Sequence, residues 1–564
     1  MLDVVARSQR GRICEYAREN QVLSTPCMIG TDSDSPVSVV MSDHGRIMRF
    51  FGTDVPLEDG LLVTASSNIM SESQTFGPVA VVRLPLPEKM DFADDVEFIV
   101  VPNAYELRKD PRRIVDAVVK LREAAGFGRL LCMLGLGEPS DVSILSYMGV
   151  DVFDDSLPRA AGLEHILLMP EAEVAVSEDV SESNMAAMDE ELDKVRMFIR
   201  ADRLRELADQ RSFSSPSNVA LLRLYDQNAY IYAEETCSTV GCRFCCNTVQ
   251  ALRRPDLKRY RERMGSYRKP AHKRVLLLLP CSAKKPYHIS KSHRAFSSAI
   301  HTASHDTLVH EVIVTSPLGM VPRELDACYP ANSYDIPVTG EWKCQEKAMI
   351  REMVGSLISQ GYDKVICHLG EDYELVEGLA DMECTVVGDP TSPKSLENLD
   401  KALRAATKGM ETVDYSVDRN NTARGLLEFQ FGREIAELLM DENTYAIGKF
   451  PYWKFVREDP EDRKRKTQIG MMTPERGLVS LTLDGAEILA NAGYATVEMT
   501  DFELKGNLFA VGVVDADPRI RIGDEAIIVC NGQVRGVGVA MMCGREMTDL
   551  KRGIAVKIRH KIKQ

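Results

Sequence analysis

Apolar and polar residues alternate along the first part of this chain in a rhythm that predicts parallel strand–helix units. From about Leu62 to Leu168, short apolar runs are separated by amphipathic stretches. EFIVVP (97–102) reads as a buried strand, IVDAVVKLREAAG (114–126) as a helix closed by glycine, and LLCMLG (130–135) as the next strand. VSILSYMG (142–149) returns to helical spacing and GVDVFD (149–154) to a strand. An unbroken apolar run of strand length marks a strand covered on both faces; strands alternating with helices imply parallel βα units, in a closed barrel or an open sheet. Residues 171–195, rich in Glu and Asp, interrupt the rhythm and read as a polar insertion or linker.

A second α/β region starts at RVLLLLP (274–280), with VHEVIVTSP (309–317), KVICHLG (364–370) and CTVVGD (384–389) as further strands and helical segments such as 346–360 between them. Beyond about 415 a helical spacing over 427–440 gives way to mixed character up to about 490. From about 493 the chain turns to short strands and glycine turns, the pattern of a small β-barrel. The expectation is a multidomain α/β protein of four parts: 1–275, a central three-layer α/β domain over 276–415, a small α+β domain over 416–492, and a barrel over 493–564.

Length and charge refine this picture. At 564 residues, three or four domains are expected. No window approaches twenty uninterrupted apolar residues and the start, MLDVVARSQRGR, has no secretory pattern, so a cytoplasmic protein without membrane spans is expected. The formal charge of −15 argues against nucleic acid as partner, but it hides an asymmetry. Residues 252–274 carry ten Lys/Arg against two acids, and the last twenty residues carry seven against two. Local charge decides docking, so RNA stays open as a partner; the plainer reading of 252–263 is a solvated helix face.

The densest chemistry is PCSAKKPYHISKSH, which places Pro280, Cys281, Lys284, Lys285, Pro286, Tyr287, Ser290 and His293 directly after a buried strand. The end of a parallel strand is where α/β folds place ligands. If a helix follows, its N-terminus and the two lysines lower the Cys281 thiol pKa, and the thiolate can attack an electrophilic carbon while Tyr287 or His293 moves protons. A buried structural cysteine beside an exposed basic loop is the alternative.

The ungapped spacing Pro-Cys, Lys-Pro-Tyr, Ser, His resembles the signature of the archaeosine synthase family, a paralogue of archaeal tRNA-guanine transglycosylase. The resemblance implies addition of the side-chain amine of free L-lysine to the nitrile of 7-cyano-7-deazaguanine in the tRNA D-loop. It further implies that a radical-SAM partner cleaves the adduct, and a homodimer. Attack by Cys281 would give a thioimidate that the amine converts to an amidine; direct amine attack, with Cys281 orienting the base, stays open. Lys284 or Lys285 would stabilise the thiolate or contact phosphate, Pro280 and Pro286 would shape the substrate site, and Glu371 or Asp372 would hold the α-amine.

The rest of the chain extends the resemblance. Gly149 to Asp154 resembles the transglycosylase segment that ends in the nucleophilic Asp, which makes 1–275 a degenerate TIM-barrel-like domain with Asp154 in the substrate site. The Asp-Ser-Gly-Gly-Phe-Gln string with the second catalytic Asp is missing, and the corresponding stretch reads LLVTASSNIM. Cys237, Cys242 and Cys245 with His272 resemble the family's structural Zn2+ site, with Cys246 able to replace Cys245; unliganded thiols are the alternative. FAVGV (509–513), IRIGDEAIIV (520–529), GVGVAMM (536–542) and RGIAVKIRH (552–560) resemble a PUA domain, which would hold tRNA phosphates through Lys551, Arg552, Lys557 and Arg559. Three functions compete: amine addition at Cys281, base exchange through Asp154, and a non-catalytic tRNA-binding scaffold.

Overall fold

The structure is a computed structural model that describes residues 2–18, 20–30, 35–43, 45–57, 73–303 and 305–562. The LLVTASSNIM stretch (61–70) lies outside the described residues. The chain divides into two compact units. The first is Met1–Ser238 with Gly506–Ile522 and Ala540–Lys557; the second is Thr239–Lys505 with Gly523–Val539 and Ile558–Gln564.

In the first unit the apolar runs become strands of one sheet: β1 (Cys27–Ile29), β2 (Val79–Val81), β3 (Phe98–Val101), β4 (Leu130–Met133) and β5 (Val152–Asp154). They lie parallel in the order β1-β5-β4-β3-β2, with the antiparallel strand Gln74–Phe76 on the edge. Among the described residues this sheet is open, and the closed TIM-like barrel expected from the sequence is not what these strands build. A barrel repeats eight strand–helix units. Here β3, β4 and β5 are followed by helices Pro111–Ala125, Val142–Met148 and Ser156–Leu163, while two antiparallel three-stranded sheets occupy most of residues 2–56. The first of these helices is capped by Asp110, whose carboxylate accepts from Arg113 N–H at 3.1 Å, and stops at Gly126 with φ +63°.

The acid-rich stretch is not a linker. Ser181–Arg200 is a 20-residue helix whose buried Met188, Leu192, Val195 and Ile199 recur at three- and four-residue spacing and join the core. Its many carboxylates mask that stripe in a composition count.

The second unit is built on β6 (Val275–Pro280), β7 (Val309–Thr315), β8 (Gly319–Pro322), β9 (Lys364–Cys367) and β10 (Glu383–Cys384), in the order β8-β7-β6-β9-β10. All neighbours are parallel except β7 and β8. Helix α1 (Lys291–Thr302) connects β6 to β7, and α2 (Cys344–Ile358) precedes β9. From β6 the chain moves outward to β7, whereas from β9 it moves the other way to β10. Loops leaving two adjacent parallel strands in opposite directions open a crevice at their carboxyl ends. That crevice lies between the ends of β6 and β9.

Phe244, Leu257, Tyr260 and Met264 belong to the core that contains β6, so residues 239–274 fold with the second unit and the division falls before the expected 275. After α3 (Pro393–Thr407) the expected α+β stretch has helices α4 (Tyr415–Phe431) and α5 (Arg433–Leu439). An antiparallel sheet follows: β11 (Thr444–Ile447), β12 (Lys454–Glu458), β13 (Lys466–Met472) and β14 (Val479–Leu481). The strands beyond 493 are divided between the units. In the second, Thr496–Met499 pairs parallel with Glu525–Cys530; in the first, Leu508 and Phe509 pair with Val556 and Ile554.

Candidate active site

Cys281 directly follows the last residue of β6, at the switch-point crevice. The segment after it does not enter a helix at once: α1 starts only at Lys291. The N-terminus of α1 therefore does not adjoin the sulfur in sequence, and burial pushes the half-buried Cys281 thiol up, against the pull of Lys285. The sequence expectation of a depressed thiol pKa is corrected on this point: desolvation outweighs the single nearby ammonium.

Lys285 is the lysine that counts. Its Nζ lies 4.0 Å from the centre of the Tyr334 ring, and burial pushes its pKa down. Lys284 is exposed, and its carbonyl accepts from Ser282 Oγ at 2.9 Å. Tyr287 is fully buried, and its hydroxyl, bonded to that of Tyr334, donates to Thr315 Oγ1 at 3.3 Å. Thr315 and Tyr334 are themselves 2.5 Å apart. Three hydroxyls thus form a buried cluster beside the sulfur, with both tyrosines raised by burial.

Ser290 and His293 have other duties. Ser290 is the N-cap of α1, its Oγ accepting from the His293 N–H at 3.2 Å. His293 is buried, its Nδ1 accepts from Arg323 at 2.9 Å, and burial with the Arg323 charge pushes it down to about 3. It is neutral at physiological pH, and its buried Nε2 has no hydrogen-bond partner among the described residues. Pro280 and Pro286 bracket the turn that carries Cys281 and Lys285. Asp372, after β9, accepts from the Trp342 indole N–H at 2.9 Å and contributes to the field at Cys281; burial pushes its carboxyl up. Glu371 adjoins it in the same turn. Thr315, Tyr334 and Trp342 were not foreseen, although Thr315 ends a predicted strand in VHEVIVTSP and was open to the same reasoning as Cys281.

Two family models match the chain: a domain of unknown function (DUF5591) over residues 257–403, which includes the whole Cys281 crevice, and the PUA domain over 496–562. Archaeosine synthase subunit alpha of Thermoplasma acidophilum is 32% identical over 480 residues, 85% of this chain and 91% of that protein. The chain belongs to the archaeosine synthase family. Archaeosine synthase of Haloferax volcanii is 31% identical over 83% of both chains. The tRNA-guanine(15) transglycosylase of Methanothermobacter thermautotrophicus is more distant, at 25% over 79% of this chain and 68% of that protein. A solved protein of unknown function aligns with a TM-score of 0.41 and 27% identity, over 54% of this chain and 99% of that one.

The remaining family positions are placed as follows. In the first unit Asp154 ends β5, buried, with its carboxylate accepting from Gly135 N–H at 2.6 Å; burial raises its pKa. Among the described residues no three His, Cys, Asp or Glu side chains gather as a metal site, and the expected zinc set does not form one. His272 is taken by Asp418 at 2.8 Å and Asn421 at 3.1 Å, Cys237 lies 3.5 Å from the Ala233 carbonyl, and Cys242 is exposed. Cys246 is held through its backbone N–H to Asp335, beside the strand formed by Phe244 and Cys245.

Lys551, Arg552 and Lys557 are exposed. Arg559 is committed to structure: it pairs with the buried Glu525 at 2.7 and 2.8 Å and donates to the Leu481 carbonyl. The basic run at 252–274 is also largely structural, since Arg254 chelates Asp256 and Lys273 bonds Asp418 and the Thr307 carbonyl. No described helix is long and apolar enough to cross a membrane.

Proposed function

We propose that this chain acts in archaeosine biosynthesis by adding the side-chain amine of L-lysine to the nitrile of 7-cyano-7-deazaguanine at position 15 of archaeal tRNA. The observation that carries the reading is Cys281 at the switch-point crevice, with Lys285, Tyr287, Thr315 and Asp372 around it. The Cys281 sulfur adds to the nitrile carbon while the thiol proton passes to the nitrile nitrogen, giving a thioimidate. Protonation of the substrate nitrogen as the S–C bond forms spares the protein a free thiolate, which suits a raised thiol pKa. The neutral amine then adds to the same carbon, and the C–S bond breaks. The sulfur regains a proton and an amidine remains. Lys285 stabilises negative charge on sulfur, and the Tyr287–Thr315–Tyr334 hydroxyls relay the proton. Asp372 receives an ammonium group of the incoming lysine.

The PUA match and the exposed Lys551, Arg552 and Lys557 support tRNA as the partner. The word subunit in the names of relatives supports a protein partner, and the reading assigns that place to a radical-SAM enzyme that cleaves the adduct. A homodimer belongs to the same reading. The test is transfer of labelled lysine to nitrile-bearing tRNA. Wild-type protein transfers the label and Cys281→Ala loses about 10^3-fold or more in rate, the scale of a lost nucleophile. Undiminished transfer by Cys281→Ala would overturn the reading.

A further inference from the structure

The second unit also carries a cleft of about 710 Å3, lined by α1, the start of β7, α4 and the turn between β11 and β12. It backs onto the catalytic loop through His293, which lines the cleft and whose ring lies 5.2 Å from that of Tyr287. The charges around it do not balance. Its three carboxylates are all occupied: Glu311 pairs with Arg323 at 2.8 Å, Asp418 with Lys273 at 2.6 Å, and Asp306 lies 3.5 Å from His301 and accepts from the Tyr415 hydroxyl. Arg294 from α1, Arg419 from α4 and Lys449 from the β11–β12 turn also line it, and none has a carboxylate in ion-pair range among the described residues. Three cations from three separate elements line one cavity, with Arg419 Nε held by the Ala446 carbonyl at 2.7 Å, so an anionic guest meets a net positive surround. One wall is aromatic, with Phe450 packed 5.2 Å from Trp453 and 5.4 Å from His288.

We propose that this cleft is an RNA-backbone site that holds phosphodiester groups of the tRNA strand next to the reacting nucleotide. Guanidinium and ammonium groups from separate elements of the lining suit successive phosphates, and the Phe450 face suits a ribose or base. The site is separate from the PUA lysines and rests on the reading of the chain as a tRNA-modifying enzyme.

The test is tRNA binding by the full-length protein across 50–300 mM KCl, comparing wild type with Arg294→Glu/Lys449→Glu and with Lys557→Glu. The cleft variant is expected to bind about tenfold or more weakly at moderate salt, with the slope of log K against log [salt] reduced by about 1.5 to 2, the signature of two lost phosphates. Unchanged melting temperature establishes that the fold is intact, and Arg294→Gln/Lys449→Gln provides a milder second pair with the same expected direction. Wild-type affinity and slope in both variants would overturn the proposal while leaving the tRNA reading in place. A wild-type protein that binds no tRNA would overturn both. Inorganic phosphate or a mononucleotide that saturates the cleft without displacing tRNA would assign it to a small free ligand and also overturn the proposal.

Discussion

Asp154 and Cys281 both stand at the end of a parallel strand, one in each unit, and their surroundings set them apart. Asp154 is buried and tied to the Gly135 N–H. Three residues earlier, Asp151 is clamped by Arg12 at 2.9 Å and by Arg122 at 3.4 Å, so this stretch of the first unit uses its acids to hold loops. Cys281 is half-buried and next to a cation, a hydroxyl cluster and a carboxylate that come from four other points of the chain. A strand end alone is therefore no sign of chemistry; several polar groups converging on one reactive side chain are the stronger mark.

Each half of the comparison can be put to the test. The largest effect is structural: Arg12→Met leaves Asp151 buried with its bidentate partner gone, and should cost about 3–5 kcal/mol in denaturant unfolding of the first unit. A loss under about 1 kcal/mol would mean that these acids do not serve the fold. Next, Tyr287→Phe strands part of the hydroxyl cluster, worth about 1–3 kcal/mol, and should slow single-turnover amine addition by about 10–100-fold with little change in tRNA affinity. If Asp372 receives the lysine ammonium as proposed, Asp372→Asn should raise KM for lysine by about tenfold and leave kcat within a few-fold. An effect on kcat alone would remove Asp372 from the amine site.

Two smaller effects depend on pH. Cys281 alkylation should rise with pH through an inflection above the ordinary thiol value, since burial disfavours the thiolate. In Lys285→Met the inflection should move higher still, because the lysine's charge lowers the thiol pKa. For His293 the folded pKa, about 3, lies below the unfolded value near 6.5. The neutral ring therefore stabilises the fold fully above about pH 6.5, and that contribution is lost as pH falls towards about 3. His293→Gln should flatten the acid-side fall in melting temperature across that window.

Much of this arrangement was legible in the sequence, and the exceptions have physical causes. The apolar runs at 97–102, 130–135 and 275–280 announced parallel strands because burial on both faces leaves no polar alternation. Position in a dense motif singled out Cys281 and Tyr287 as candidates, but it could not separate groups clustered near the sulfur from groups that cap a helix. Ser290 is a helix cap, and the His293 Nδ1 accepts from Arg323, a partnership that spans thirty residues of sequence and leaves Nε2 buried without a hydrogen bond among the described residues. Long-range pairing likewise occupies two expected site residues, His272 with Asp418 and Arg559 with Glu525, which local spacing does not reveal. Open sheet against closed barrel was beyond reach for a different reason: both have the same local strand–helix rhythm, and closure depends on how many units follow one another.

The most direct test of the central claim is the single-turnover rate of lysine transfer to nitrile-bearing tRNA, measured side by side for Cys281→Ser and Asp154→Asn with folding and tRNA affinity matched to wild type. Cys281→Ser is expected to lose about 10^3-fold or more while Asp154→Asn stays within a few-fold of wild type. A large loss in Asp154→Asn together with near-normal transfer by Cys281→Ser would place the chemistry in the first unit and contradict that claim.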